Sequence, residues 1–231
     1  MRINLIKKPL IFPVLFFRAV RTKVYTICKY KKRCPKIREV IYIDPNKIVG
    51  HLTKARWQKL RRRTGLKGNV ILDGNWDSEL IGYLEFKEMD IYKSLHMRWV
   101  EGKSWEQTWI YQTYKEQINN SEKCPFSNLN QLEYRYRELD RIFHKIQNDG
   151  NLSNEYRHLV RINIDRGGRL IWGPGGRHRM SIAIILGLHK VPAKIGFVHP
   201  NALDVLDECR IPSPKDSAET SLFRGHFPSK K

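Results

Sequence analysis

The chain has 231 residues, 41% of them hydrophobic, and a formal net charge of +20 at pH 7. This length accommodates one globular domain with decorations and is short for two full domains. Residues 1–38 hold twelve Lys or Arg and no acidic residue, and this concentration argues against a DNA-binding domain with charge spread over its reading surface. The four cysteines include no C-x-x-C pair and no zinc-finger spacing, so they favour a reducing, cytoplasmic location.

Residues 1–38 form a basic N-terminal segment that contains the apolar run LIFPVLFF at 10–17. This run is too short for a spanning helix, which needs about 20 apolar residues, and the cations that follow it at once do not fit an export signal. An apolar run followed by cations interleaved with apolar residues is typical of an amphipathic segment in a membrane interface. We therefore expect peripheral attachment to the anionic inner face of a membrane. Two alternatives stay open: the run packs on the domain, or residues 1–67 bind nucleic acid.

Two short apolar runs predict the first strands of a domain that we place at residues 39–209. The run VIYI at 40–43 precedes Pro45, and a proline at this position predicts the start of a helix over 47–60. A second run at 69–72, between two glycines, predicts another strand.

The middle of the chain, residues 76–155, has the pattern of a helical insertion. Ser104 and Gln107 fit a capping box, which predicts a helix over 104–119. Apolar residues that alternate between steps of three and four predict an amphipathic helix over 127–147. The aromatic residues of the first helix are expected to lie in the core.

Residues 160–197 predict a strand, a Gly-rich loop, a buried helix and a strand. A change to alternating apolar and polar residues predicts a hairpin over 160–172. A helix over 177–186 and a closing strand over 191–197 follow. The tail, 210–231, is polar and contains proline, so we expect it to be disordered.

The loop before the predicted buried helix has the composition of a phosphate-binding site. Glycines let a phosphate approach the backbone N–H groups at the positive end of a helix. Three basic residues follow, where the helix dipole disfavours each cation by about 0.3–1 kcal/mol, and an anion bound between them would account for their presence. The alternative is a tight turn whose arginines pair with surface acids, because glycine loops alone are weak signals. The predicted phosphate-binding residues are Gly175, Gly176, Arg177, His178 and Arg179.

The segment from Gly175 to Arg179, followed by an apolar helix, Gly187-Leu188 and the strand that starts at Val191-Pro192-Ala193, resembles the ParB/sulfiredoxin superfamily. Over about residues 160–198, the resemblance implies an α+β fold, in which helices pack on a small mixed sheet. Arg177 stands where sulfiredoxins have their catalytic cysteine, so sulfiredoxin activity is not expected. Too few residues follow for the helix-turn-helix module of partition proteins, which disfavours chromosome partitioning.

Other members of the superfamily are kinases for small molecules, so the resemblance also implies a nucleotide-dependent phosphotransferase that uses ATP or CTP with Mg²⁺. Phosphoryl transfer needs a carboxylate that orients or deprotonates the acceptor. The candidates are Asp73 and Asp77, which follow a predicted strand and could equally be solvated residues of an Asp-Gly turn. The basic N-terminus suggests a glycan or lipid-linked acceptor. The alternative function is a non-catalytic ParB-like module that binds a nucleotide or a nucleic acid.

Overall fold

The computed structural model describes residues 11–78, 86–153 and 155–211. Over these ranges the chain is a mixed α/β protein with seven α-helices and one six-stranded mixed sheet, so the expected mixed sheet with packed helices is confirmed. The strands are β1 Val40–Ile43, β2 Ile48–His51, β3 Val70–Ile71, β4 Val160–Ile164, β5 Leu170–Trp172 and β6 Val191–Val198. The helices are α1 Ile11–Tyr30, α2 Lys54–Thr64, α3 Asp90–Trp99, α4 Trp109–Asn119, α5 Leu129–Asp149, α6 Arg177–Ile185 and α7 Leu203–Cys209.

The long strand β6 organises the sheet, whose order is β1-β6-β4-β5-β2 with β3 also paired to β6. β1 runs antiparallel to the first half of β6, and β3 runs parallel to its end. β4 lies parallel to β6 on the other edge. β4 and β5 form the antiparallel hairpin that the sequence predicts, and α6 then leads the chain back to β6.

Alternate residues of the strands point into two separate cores, as the pleat of a β-sheet requires. Val160, Ile162 and Ile164 of β4 join the larger core, which also contains buried residues of α3 to α7. Ile171 of β5 and Phe197 of β6 join a smaller core on the α2 side of the sheet. The residues between the apolar positions of β4 therefore face α2.

The helix predicted over 47–60 is wrong in its first half, since α2 begins only at Lys54. Pro45 begins a short 3-10 turn that ends at Lys47, and the chain then forms β2, which pairs in parallel with β5. α2 starts only after Thr53, whose hydroxyl accepts a hydrogen bond from the backbone N–H of Arg56. Pairing with a distant strand therefore overrides the local helix signal at β2.

The helices predicted in the middle of the chain are confirmed with shifted starts. The capping box of Ser104 and Gln107 is present, but it heads a 3-10 turn, and α4 begins at Trp109. α5 ends at Gly150, which adopts the left-handed conformation expected after a helix. The predicted disordered tail lies outside the described residues beyond Ile211.

The N-terminal helix α1 packs along one face against α2 and β3. Thr26 is fully buried on this face, and the ammonium of Lys23 donates to the carbonyls of Pro35 and Asn69. The closest approach is at Gly65, where an added Cβ would collide with the backbone of α1. The apolar run therefore belongs to a helix that rests on the domain.

Gly65→Ala should lower the free energy of unfolding by about 2 kcal/mol or more, because the side chain adds a collision with α1 to the cost of a left-handed backbone. Gly102→Ala is the matched control: Gly102 is also left-handed (φ 71°), but an added Cβ there meets nothing within 4 Å. We expect this control to lose only about 1 kcal/mol. Urea denaturation of both variants measures the difference, and equal losses would contradict the close contact of α1 with Gly65.

Candidate anion-binding site

The Gly-rich loop leaves β5 at Trp172 and enters α6 through two glycines with different surroundings. Gly176 lies at the N-terminus of α6 with φ 76°, and an added Cβ would be only 2.7 Å from a methyl group of Val160. Gly175 is exposed, and an added Cβ would meet nothing within 4 Å. The indole N–H of Trp172 donates to the Gly175 carbonyl over 2.9 Å. Trp172 and Val160 therefore fix the buried side of the loop, whereas Gly175 is open to solvent.

The three basic residues predicted to bind phosphate lie in the first turn of α6, in unlike environments. Arg177 is exposed. Arg179 is half-buried, and its guanidinium donates to the carbonyl of His158 over 2.5 Å. Burial and the charges of Arg135, Arg177 and Arg179 lower the pKa of His178 to about 4. His178 is therefore neutral at pH 7, and the arginines carry the positive charge at this end of α6.

Two further cations stand beside each other on the neighbouring strands β4 and β6. Arg161 and Lys194 are register partners in the parallel pair, so their side chains leave the same face of the sheet. Burial lowers the pKa of Lys194, and the charges of Arg161 and Arg179 lower it further. Within the described ranges, neither Arg161 nor Lys194 forms an ion pair. We call Arg161, Arg179 and Lys194 the cation cluster.

The cation cluster adjoins the Gly-rich loop. Arg161 of the cluster and its neighbour Trp57 each have a buried hydrogen-bond donor for which the described residues provide no acceptor. The backbone N–H of Gly173 donates to the carbonyl of Arg161 over 2.7 Å, which joins the loop to the start of β4. The guanidinium of Arg161 lies 5.6 Å from the ring centroid of Trp57, and Lys194 Nζ lies 5.7 Å from that of Tyr156. Arg161 Nε and Trp57 Nε1 are buried and have no hydrogen-bond partner among the described residues. Such donors favour an acceptor-rich ligand.

The structure does not bring the predicted catalytic carboxylates to this end of the sheet. Asp77 is buried and accepts hydrogen bonds from the backbone N–H and the guanidinium of Arg166, each over 2.7 Å. Arg166 lies in the hairpin turn, five residues beyond Arg161, which corresponds to roughly 16 Å of extended chain. Asp73 is exposed and lies 3.9 Å from Lys29 Nζ. Both carboxylates therefore lie away from the cation cluster.

The expected Mg²⁺ has no cluster of protein ligands in the part of the chain that the structure describes. Over residues 11–78, 86–153 and 155–211, no group of three or more His, Cys, Asp and Glu side chains is placed to hold a metal ion. Burial and the charge of Arg135 lower the pKa of Arg179, and the charge of Glu155 opposes this shift only in part. Glu155 already pairs with Arg157 and His158. The basic side chains are thus the groups that this region offers to an anion.

Comparisons of the chain with models of protein families, with curated proteins and with solved structures gave no match. The resemblance to the ParB/sulfiredoxin superfamily consequently depends on the sequence alone, mainly on about residues 160–198 and more loosely on residues 40–46. The placement of Arg161 beside Lys194 is independent of that resemblance, because it follows from strand register.

Proposed function

We propose that this protein binds the phosphate groups of a nucleotide at the cation cluster and the adjoining Gly-rich loop. The observation that carries the proposal is the position of Arg161 beside Lys194 on two parallel strands. Both side chains are half-buried, and neither forms an ion pair with an acidic residue of the described ranges. Like charges at close range in a partly desolvated region cost free energy. A bound polyanion would offset this cost.

Phosphate suits the hydrogen-bond donors of the site better than a single carboxylate does. The guanidinium groups of Arg161 and Arg179 are planar forks that match phosphate oxygens, whereas Lys194 acts as a point charge. The N-terminus of α6 adds backbone N–H groups, since Gly176 supplies no side-chain cap. Several phosphate groups could therefore be held at once, as in a nucleoside diphosphate or triphosphate. The superfamily resemblance is the reason to expect ATP or CTP.

Binding is the part of the expected function that this geometry supports best. A kinase would need an acidic residue next to the phosphates. Of the two candidates, Asp77 is bound to Arg166 in the turn at the other end of the hairpin, and Asp73 lies beside Lys29 of α1. The non-catalytic nucleotide-binding module is therefore the form in which we propose this function. Phosphoryl transfer to an acceptor stays a proposal that depends on the resemblance.

Isothermal titration calorimetry with ATP, CTP, GTP and pyrophosphate tests this proposal. We expect at least one of these ligands to bind, and Arg161→Met to weaken its binding by about tenfold to a hundredfold through the loss of a charged hydrogen-bond donor. Lys194→Met, which keeps the length of the side chain, should act in the same direction. The matched control is Arg141→Met, which removes the same charge from an exposed position on α5.

The outcomes separate binding at the cluster from attraction by net charge. If no ligand binds to the wild-type chain, the proposal is wrong. If Arg141→Met weakens binding as much as Arg161→Met does, the effect belongs to overall charge and not to this site. Thermal unfolding of each variant, followed by circular dichroism, confirms that the comparison is made between folded proteins.

A further inference from the structure

The outward face of α1 is apolar along most of its length. Phe17 is 70% exposed, and seven of the thirteen exposed large hydrophobic residues in the described ranges lie on this one helix. Soluble monomers rarely expose a contiguous apolar surface of this kind unless it binds something. We call the following residues the α1 stripe: Val14, Phe16, Phe17, Val20, Val24, Tyr25 and Ile27.

Packing of α1 on the domain does not use the α1 stripe. The inward face contacts α2 and β3 through small and polar residues such as Ala19 and Thr26. Phe17 and Val24 are seven residues apart and therefore lie on the same side of the helix, away from Thr26. The helix is amphipathic with its apolar side directed to solvent, so the domain fold alone does not account for the stripe.

The charged residues of α1 and of its neighbour α2 have a single sign. α1 and its neighbour α2 together carry ten basic residues and no acidic residue, and the guanidinium of Arg18 donates to the carbonyl of Arg62 over 2.8 Å. A second copy of this chain would bring these cations against each other, which disfavours self-association. The basic residues are Arg18, Arg21, Lys23, Lys29, Lys54, Arg56, Lys59, Arg61, Arg62 and Arg63.

We propose that the α1 stripe docks on an anionic lipid bilayer, with α1 lying in the plane of the interface. The acyl boundary takes up Phe17 and its apolar neighbours, and the lipid phosphates meet the cations of α1 and α2. Among the residues that the structure describes, no helix is both long enough and apolar enough to cross a bilayer. The α1 stripe shares no residue with the cation cluster of Arg161, Arg179 and Lys194, so it adds a second binding function.

Co-sedimentation of the full chain with vesicles tests the docking surface. The wild-type protein should sediment with vesicles that contain phosphatidylserine in phosphatidylcholine, less with phosphatidylcholine alone, and less as salt increases. Phe17→Asp and Val24→Asp should each lower the affinity by about tenfold or more, because each places a carboxylate in the apolar boundary. Tyr134→Asp is the matched control, since Tyr134 is a 61% exposed aromatic residue on α5.

Several results would overturn the proposal. One is that the wild-type chain sediments with neither kind of vesicle. A second is that it binds single-stranded RNA but no vesicles. Another is an equal loss in Phe17→Asp and Tyr134→Asp. A lower molecular mass of Phe17→Asp in light scattering would show that a second copy covers the stripe. Arg161→Met should leave vesicle binding unchanged, which separates this surface from the proposed nucleotide site.

Discussion

Replacing Asp140 by alanine should lower the free energy of unfolding by about 3 to 5 kcal/mol. This carboxylate on α5 accepts hydrogen bonds from the guanidinium of Arg98 over 2.7 Å and from the indole N–H groups of Trp99 and Trp105 over 2.9 and 3.0 Å. These donors come from α3 and from the turn before α4. Without Asp140, these donors lose the acceptor that they share, although Arg98 keeps its hydrogen bond to the carbonyl of Lys103. The elements of the helical layer then lose their common contact.

The hydrogen bonds to Asp140 also set the response of the fold to acid. Burial alone would raise the pKa of Asp140, but the hydrogen bonds from Arg98, Trp99 and Trp105 outweigh it, and the pKa is lowered. Because the folded pKa lies below the unfolded one, this stabilisation is present above the unfolded value of about 3.9. It is lost as the pH falls through the folded pKa.

Urea denaturation at pH 7 measures the contribution of Asp140 to stability, and a series at lower pH, down to below about pH 4, measures its contribution to the acid response. Asp140→Ala should have a lower free energy of unfolding than the wild type at pH 7. As the pH falls, its free energy of unfolding should decrease less steeply than that of the wild type. Glu138→Ala is the matched control on the same helix, since the carboxylate of Glu138 pairs with the exposed Arg141 and should contribute under about 1 kcal/mol. A loss in Asp140→Ala no greater than in this control would contradict the role of Asp140.

The spacing of apolar residues and the positions of glycines predicted the elements whose stabilising contacts lie close in the sequence. The hairpin of β4 and β5 and the helix α5 both follow from apolar spacing and from a glycine at the turn or the helix end. β2 could not be predicted in this way, because its four residues show no alternation and form a strand by pairing with β5 far along the chain. Strand pairing of this kind is a property of the whole fold.

The candidate site was predictable only in its contiguous part. The loop residues are visible as a group in the sequence, whereas Arg161 and Lys194 meet only through the register of β4 with β6. Each is the one charged residue of a strand that is otherwise largely buried. A lone base in an apolar strand is unusual unless it is paired, and this signal could have identified both residues before the structure.

The N-terminal segment shows why a sequence pattern alone does not separate two competing interpretations of one helix. The apolar run was expected either to insert into a membrane interface or to pack on the domain. The structure assigns packing to the inward face of α1, through Ala19 and Thr26, and leaves Phe17 exposed on the opposite face. A linear pattern could not separate these two faces, because the sequence does not show which side of α1 contacts α2.

Asp77→Ala should lower the free energy of unfolding by about 2 to 3 kcal/mol and leave nucleotide binding unchanged. The carboxylate joins the loop after β3 to the turn between β4 and β5 through Arg166. Burial alone would raise the pKa of Asp77, but the hydrogen bonds from Arg166 outweigh it and lower the pKa. The stabilisation is therefore present at pH 7 and is lost as the pH falls through the folded pKa.

Measuring unfolding and turnover in the same variants separates a structural role of Asp77 from a catalytic one. Asp73→Ala is the control, because the exposed pair of Asp73 with Lys29 should contribute little to stability. A structural Asp77 predicts that Asp77→Asn is destabilised and that ligand affinity at the cation cluster stays at the wild-type value. A catalytic Asp77 predicts the reverse, namely unchanged unfolding and a loss of acceptor-dependent release of nucleoside diphosphate. The ion pair of the buried Asp77 with Arg166 and the distance of Asp77 from the cation cluster both favour the first result.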